Sequence, residues 1–124
     1  MANLSSIFKM LFNPGGVDAS SQLSPKEAFQ KLKGYDAPQL VDVRSAEERR
    51  QGYIAGSKLI PLHELDRRQG EINKTRPVIV YCRSGHRSGM ALRLLKDKGF
   101  ANVYHINGGI MGWAQNSLPM ETKS

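Results

Sequence analysis

The sequence contains very little cysteine: Cys82 is the only one among 124 residues. A single cysteine excludes an internal disulfide and a cysteine-rich metal site. It also excludes a redox cycle in which a second thiol of the same chain resolves the first. We therefore expect a reducing compartment, the cytoplasm, and neither a metal ion nor an organic cofactor.

Aromatic residues are also scarce, at 7% of the chain, and they do not alternate with basic residues. A stacking platform for single-stranded nucleic acid is therefore not expected. The formal net charge of +7 attracts anions. Because no basic run exceeds two residues, we interpret this charge as a solvated surface and expect no nucleic-acid partner.

Long hydrophobic runs are missing as well. Apolar residues recur at helical spacing near the start of the chain, but the stretch is too short to span a bilayer and lacks the basic start and cleavage site of a secretory signal. We predict an N-terminal extension over residues 1–22, with an edge strand over residues 17–22, and no membrane partner. The length fits one domain, over residues 23–119, and then a polar tail over residues 120–124; we expect a monomer.

The most informative stretch of the sequence runs over residues 77–99. Val78 to Tyr81 is a short apolar run typical of a buried strand. A helical pattern follows, with Met90, Ala91, Leu94 and Leu95 predicted on its buried face and Gly99 at its end. Cys82 lies in the polar loop between them, where open α/β sheets place their ligand sites.

This loop favours a cysteine thiolate. The first amides of a helix lack intrahelical partners and carry partial positive charge. Arg83 and Arg87 add two full charges, and His86 adds a third when protonated. Such surroundings make a sulfur nucleophilic near neutral pH. The alternative, a buried and inert Cys82, is disfavoured because a run of polar and glycine neighbours is poor core material.

The loop resembles the active-site loop of the rhodanese family, the sulfurtransferases that carry a cysteine persulfide. Gly85 allows a tight turn in which several N–H groups form an anion nest, and Ser84 and Ser88 supply hydroxyl donors. Four residues separate Cys82 from Arg87, whereas cysteine phosphatases, including those built on the rhodanese fold, have five. The shorter loop suits one sulfur atom better than a tetrahedral phosphate or arsenate.

The resemblance implies that Cys82 is the catalytic sulfur carrier. It also implies that a small anionic donor such as thiosulfate supplies the sulfur and that cyanide, a thiol or another protein accepts it. Arg83 and Arg87 position the donor in this interpretation, unless Arg87 is a brace tied to backbone carbonyls. The expected substrate-binding residues are Arg83, Ser84, Gly85, His86, Arg87 and Ser88. A cysteine phosphatase or arsenate reductase, and a non-catalytic binding module or protein sulfur-relay partner, remain as alternatives.

Two further blocks match the family pattern. Asp42-x-Arg44 ends a predicted strand over residues 39–44, and we expect this pair to support the fold by buried hydrogen bonds rather than to form a surface ion pair. The matching positions that follow are Glu48, Gly52, Ile54, Gly56 and Pro61, and the departures are Arg49, Tyr53 and Ser57. A Gly108-Gly109 pair precedes a helix with Trp113 as a packing anchor, as in the family.

The remaining pattern fixes the predicted architecture. Ser24 to Glu27 is a capping box that starts a helix ending near Gly34. Further strands are predicted over residues 58–60 and 103–106, and a helix over residues 62–72 that breaks near Gly70. His63 is interpreted as an exposed helix residue and His105 as a structural strand residue. We therefore predict a single-domain α/β fold of the rhodanese type, with a mainly parallel central sheet of 4–5 strands and helices on both faces.

Overall fold

The computed structural model describes residues 18–122. Predictions for residues 1–17 and for the last two residues of the tail lie outside this range. The described part contains a five-stranded sheet in the order β1-β5-β4-β2-β3, in which every strand pairing is parallel. The strands are β1 Gln22–Leu23, β2 Gln39–Asp42, β3 Lys58–Leu59, β4 Val78–Tyr81 and β5 Val103–Ile106.

Five α-helices flank the sheet and cover both of its faces; the first four connect successive strands and the last follows β5. They are α1 Pro25–Lys33, α2 Ala46–Gln51, α3 Leu62–Arg68, α4 His86–Asp97 and α5 Gly109–Gln115. One core cluster joins the sheet to α3 and α4, and the other joins it to α1 and α5. The predicted α/β architecture is confirmed. None of the helices described here has the length and apolar character needed to cross a membrane.

The central strand β4 explains why the following loop is held firmly. Its four side chains are completely buried, and they alternate between the two core clusters. Val78 and Val80 pack toward α4, whereas Ile79 and Tyr81 pack toward Trp113 of α5. Full burial of one such aliphatic side chain contributes roughly 1.5–3 kcal/mol. Cys82 therefore follows the most deeply buried strand of the domain.

Two capping boxes fix helix starts that matter for the site. Ser24 and Glu27 exchange the predicted pair of hydrogen bonds at the start of α1, at 2.9 and 3.1 Å. Ser45 and Glu48 form a second box at the start of α2, a helix that was not predicted. Ser45-x-x-Glu48 was a readable signal, since this spacing marks a helix start.

Two predictions of local structure are wrong. Residues 19–21 form a 3-10 turn rather than a strand, because the Asp18 side chain accepts a hydrogen bond from the Ser20 amide; the strand is Gln22–Leu23. Met90 is 43% exposed rather than buried. Since α4 begins at His86, its buried stripe follows Ser88, Gly89, Ala91, Leu92 and Leu95 instead.

The start of the predicted polar tail is attached to the domain. Tyr53 and Glu121 exchange two backbone hydrogen bonds of 2.8 Å in an antiparallel bridge. Trp113, 1% exposed as expected for an anchor, donates from Nε1 to the Pro119 carbonyl at 2.8 Å. These contacts bring the chain back toward Gly52. The domain boundaries after residues 22 and 119 stay predictions.

Candidate active site

The Cys82 sulfur lies at the start of α4 and accepts hydrogen bonds from two backbone amides. Gly85 N–H lies 3.1 Å and Ser88 N–H 3.3 Å from Sγ. Gly85 adopts φ 110°, a left-handed conformation that favours glycine and turns the backbone around the sulfur. Cys82 is only 1% exposed and packs against the α4 core, so its burial matches the inert alternative. The two amides aimed at Sγ do not, because inert cysteines lie in apolar surroundings.

Four further amides of the loop are free to bind a ligand. Within residues 18–122, the backbone N–H groups of Arg83, Ser84, His86 and Arg87 have no hydrogen-bond partner. Those of His86 and Arg87 belong to the first turn of a twelve-residue helix, where the helix dipole adds positive potential. Unpaired amides of this kind bind anions or electron-rich sulfur.

The start of α5 holds the other side of the loop. Ile110 N–H donates to the Cys82 carbonyl at 2.9 Å, and Met111 N–H donates to the Arg83 carbonyl at 3.0 Å. Gly109 makes this approach possible: its φ is 61°, and a Cβ there would lie 2.6 Å from the Cys82 carbonyl oxygen. Gly109 therefore combines a positive φ with a close backbone approach that a side chain would block.

Arg87 is engaged by a carboxylate. Its two terminal nitrogens donate to the two oxygens of Glu48 at 2.7 and 2.8 Å. The hydrogen bonds from Arg87 lower the pKa of Glu48 to about 2, and the same contact raises the pKa of Arg87. The alternative in which backbone carbonyls hold Arg87 is therefore wrong about the acceptor. The acceptor is the carboxylate of Glu48, at the capped start of α2.

The side chains of Arg83, Ser84 and His86 surround the entrance to the loop. All three residues are exposed, and none of these side chains makes a hydrogen bond or ion pair with another described residue. We call Arg83, Ser84, His86 and Arg87 the loop mouth. It presents unpaired amides and cations in the same loop that holds the sulfur.

Asp42 and Arg44 form a buried pair beneath the loop. Arg44 donates from Nε and Nη2 to the two carboxylate oxygens at 2.9 and 2.8 Å, and the residues are 4% and 0% exposed. The Tyr81 hydroxyl donates to the same carboxylate at 3.2 Å. Burial, and then the Asp42 charge, raises the pKa of Tyr81, which keeps the phenol protonated. The expected buried hydrogen bonding is observed, and the surface ion pair is not.

The three departures from the family pattern contact one another in this same region. Arg49 stacks over the Tyr53 ring at 4.1 Å and donates to the Ser57 hydroxyl and carbonyl at 3.0 and 2.8 Å. The Ser57 hydroxyl lies 3.0 Å from the Tyr81 hydroxyl. We call the connected set the Asp42 network; its members are Asp42, Arg44, Arg49, Ser57 and Tyr81. No local sequence pattern relates these three positions, so their connection was not predicted.

His63 and His105 lie in different environments. His63 is exposed, as predicted, and lines a cavity of about 320 Å³ that also borders Arg87. His105 is buried in β5, and its Nδ1 lies 2.9 Å from the Ser88 hydroxyl. Strand order is not readable from a local sequence pattern, so the position of β5 beside β4 was not predicted. Once that order is known, the pairing of His105 with Val80 places it next to the loop.

The chain is similar to known proteins in both sequence and structure. Residues 24–116 match the family described as "Rhodanese-like domain". The chain is 36% identical over 100 residues to a sulfurtransferase of Allochromatium vinosum, covering 81% of this chain and 94% of that one. It is 33% identical over 108 residues to the thiosulfate sulfurtransferase GlpE of Actinobacillus succinogenes, covering 84% and 93%.

A solved structure agrees with the sequence relatives. The crystal structure of a rhodanese-like domain protein from Staphylococcus aureus superposes with a TM-score of 0.76 at 30% identity, covering 84% of this chain and 99% of that one. The parallel sheet and the cysteine loop after its central strand agree with the family match. The chain belongs to the rhodanese-like domain family, and both of these sequence relatives are named as sulfurtransferases.

Proposed function

We propose that this protein transfers sulfane sulfur from a small anionic donor, such as thiosulfate, to a thiophilic acceptor through a persulfide on Cys82. The observation that carries the proposal is the set of four unpaired amides at the loop mouth, in the same loop whose Gly85 and Ser88 amides already hold the sulfur. The thiosulfate sulfurtransferase among the relatives supports the choice of donor.

The first half-reaction forms the persulfide. The Cys82 thiolate attacks the outer sulfur of thiosulfate, a new S–S bond forms, and the original S–S bond breaks with its electron pair leaving on sulfite. Because Cys82 is 1% exposed, the outer sulfur of the donor must enter between the amides of the loop mouth. Donors already oriented there stabilise developing negative charge without reorganisation.

The second half-reaction returns the enzyme to its starting state. An acceptor such as cyanide or a thiolate attacks the outer persulfide sulfur, and the electron pair of the broken S–S bond returns to Cys82. Both half-reactions need only one sulfur atom of the protein, that of Cys82, which agrees with the single cysteine of the sequence. The cavity beside Arg87 and His63 offers space for an acceptor next to the loop.

The cations of the loop mouth contribute to donor binding in different ways. Arg87 is already neutralised by Glu48, so its main contribution is to hold the first turn of α4 in place. Arg83 has no counterion among the described residues and extends into solvent. We therefore assign electrostatic attraction of the donor to Arg83, with His86 adding to it when protonated.

Steady-state formation of thiocyanate from thiosulfate and cyanide tests the proposal. We expect turnover by the wild-type chain and only background turnover by Cys82→Ser, whose hydroxyl is a far weaker nucleophile. Unfolding by urea provides the control that the variant is folded. Turnover that survives in Cys82→Ser would contradict the proposal.

Two other outcomes distinguish the remaining alternatives. Hydrolysis of an aryl phosphate by the wild type, lost in Cys82→Ser, would favour a phosphatase. Loading of Cys82 by a persulfidated protein, combined with no reaction toward thiosulfate, would favour a sulfur-relay partner. The geometry favours neither over thiosulfate, because the loop surrounds one sulfur atom and leaves donors for a small anion.

A further inference from the structure

A buried chain of three polar side chains extends from the reactive sulfur to the far side of the loop. The Ser88 hydroxyl lies 3.5 Å from Cys82 Sγ and 2.9 Å from His105 Nδ1. Ser88 is 0% exposed and His105 is 5% exposed. A polar group buried to this degree normally has a purpose or a full set of partners.

The other nitrogen of His105 identifies the tautomer. Nε2 is buried and has no hydrogen-bond partner among the described residues. A buried N–H without an acceptor costs more than a buried lone pair without a donor. The proton of the neutral ring therefore resides on Nδ1, and Nδ1–H donates to the Ser88 oxygen.

This tautomer satisfies Ser88 in both protonation states of the sulfur. When Cys82 is a thiol, its S–H can donate to the Ser88 oxygen while the Ser88 hydroxyl donates to the Gly85 carbonyl, 3.3 Å away. When Cys82 is a thiolate, the Ser88 hydroxyl turns from that carbonyl to the sulfur. The opposite tautomer of His105 would require the same hydroxyl proton for Nδ1 and so would compete with the thiolate.

The contact between His105 and Ser88 is one between neutral groups. Burial lowers the pKa of His105, so the ring stays uncharged near neutral pH. The charge of Arg87 on α4 interacts with the sulfur, but it is offset by Glu48 of α2 and by Asp42 at the end of β2. The contribution of His105 is therefore separate from the charge at the loop mouth.

We propose that His105 is a positioning residue that donates from Nδ1 to the Ser88 oxygen and so directs the Ser88 hydroxyl to the Cys82 thiolate. The inference rests on the proposed function, since it assigns His105 a role in preparing the nucleophile. His105 touches neither donor nor acceptor; it acts through Ser88. The sulfur then has three donors in the thiolate state, two amides and one hydroxyl.

The test is the pH titration of the thiolate ultraviolet absorbance, which one cysteine makes unambiguous. Cys82→Ser gives the background from tyrosine ionisation. We expect His105→Leu to move the titration midpoint upward by about one pH unit. This is the size of the Ser88 hydrogen bond to the thiolate, which is lost when the Ser88 hydroxyl is no longer directed to the sulfur. His105→Asn keeps an N–H donor near the position of Nδ1 and should stay within a few tenths of a unit.

Ser88→Ala provides the coupling test. It should move the midpoint upward at least as far as His105→Leu, and the double variant should move it no further than Ser88→Ala alone. A His105→Leu shift that persists at full size in the Ser88→Ala background would overturn the proposal, as would an unchanged midpoint in folded His105→Leu. If His105→Leu does not fold, NMR of the wild-type imidazole nitrogens decides: a proton on Nε2 rejects the proposal.

These measurements need no sulfur donor. A chain that shows the expected midpoints and no turnover would reject the proposed function and keep the role of His105. Turnover without the expected midpoints would keep the proposed function and reject the role of His105. The two proposals therefore fail separately.

Discussion

The Asp42 network and the loop mouth lie at the same end of the sheet, yet they treat charge in opposite ways. In the network, every cation is paired: Arg44 and Arg49 both contact the carboxylate of Asp42, which is completely buried. At the loop mouth, Arg83 and His86 have no partner in the described range, and four amides are unpaired. One region has satisfied its polar groups and the other has left them available.

This difference separates support from chemistry. Paired groups lose their affinity for other ions, whereas unpaired donors held by a rigid base are ready for a ligand. Arg87 is intermediate, because it lies at the mouth but is paired with Glu48, as the cations of the network are paired with Asp42. The predictions below change one region at a time, and the free energy of unfolding and the KM for the donor report which one has been affected.

Removing the carboxylate of the Asp42 network should have the largest effect on stability. Asp42→Asn leaves two guanidinium groups without a counterion in a buried site, and we expect a loss of about 3–5 kcal/mol in the free energy of unfolding. Urea unfolding measures it. Glu71→Gln, which removes the partner of Lys58 and Arg68 at an exposed site, should change stability little. Equal losses in both variants would show that the network is not special.

The close approach of α5 to the loop should have the next largest effect. Gly109→Ala places a methyl group against the carbonyls of Cys82 and Arg83, and we expect a loss of about 2–4 kcal/mol together with a lower kcat. Gly56→Ala is the matched control, because Gly56 also has positive φ, 84°, but open space around it. It should lose only about 1 kcal/mol, from backbone strain. Unchanged kcat in Gly109→Ala would contradict the idea that α5 positions the loop.

The Glu48–Arg87 pair predicts a pH dependence of stability. The pKa of Glu48 is about 2 in the folded chain, below its ordinary value of 4.5. Its contribution, about 1 kcal/mol after solvent screening, is therefore present above pH 4.5 and lost as the pH falls toward 2. Glu48→Gln keeps a side-chain acceptor for the helix cap but removes the charge. The free energies of unfolding of the wild type and Glu48→Gln should differ at neutral pH and converge near pH 2. A difference that stays constant over this pH range would refute the assignment.

Changing the loop mouth should leave stability almost untouched and affect the donor instead. Arg83→Gln removes an exposed cation, and we expect the free energy of unfolding to change by less than about 0.5 kcal/mol. The KM for thiosulfate should rise by about threefold at low salt, with the difference shrinking as ionic strength rises. Arg93→Gln, an exposed arginine further along α4, makes the same charge change away from the mouth. A similar KM increase there would assign the effect to net charge alone.

The predictable part of this molecule is the part that local pattern controls. Apolar alternation and the Ser24 capping box give the strands and helix starts, and the position of Cys82 between strand and helix gives the candidate site. The relation of Asp42 to Arg44 is also local, since only one residue separates them. Each of these features depends on neighbours in sequence.

The features that sequence analysis missed depend on strand order. Glu48 reaches Arg87 across thirty-nine positions, and His105 reaches Ser88 across seventeen. Both contacts require β2 and β5 to flank β4, an order that no local pattern of one sequence encodes. The exposure of Met90 has a different origin: the stripe of α4 that meets the sheet follows Ser88, Ala91, Leu92 and Leu95, and Met90 lies beside it.

The mass of the intact protein tests the central claim most directly. After incubation with thiosulfate, the wild-type chain should gain the mass of one sulfur atom, and cyanide should remove it with release of thiocyanate. Cys82→Ser should gain nothing. A wild-type chain that stays at its original mass would contradict thiosulfate as the donor, and a sulfur atom retained by Cys82→Ser would contradict Cys82 as the carrier.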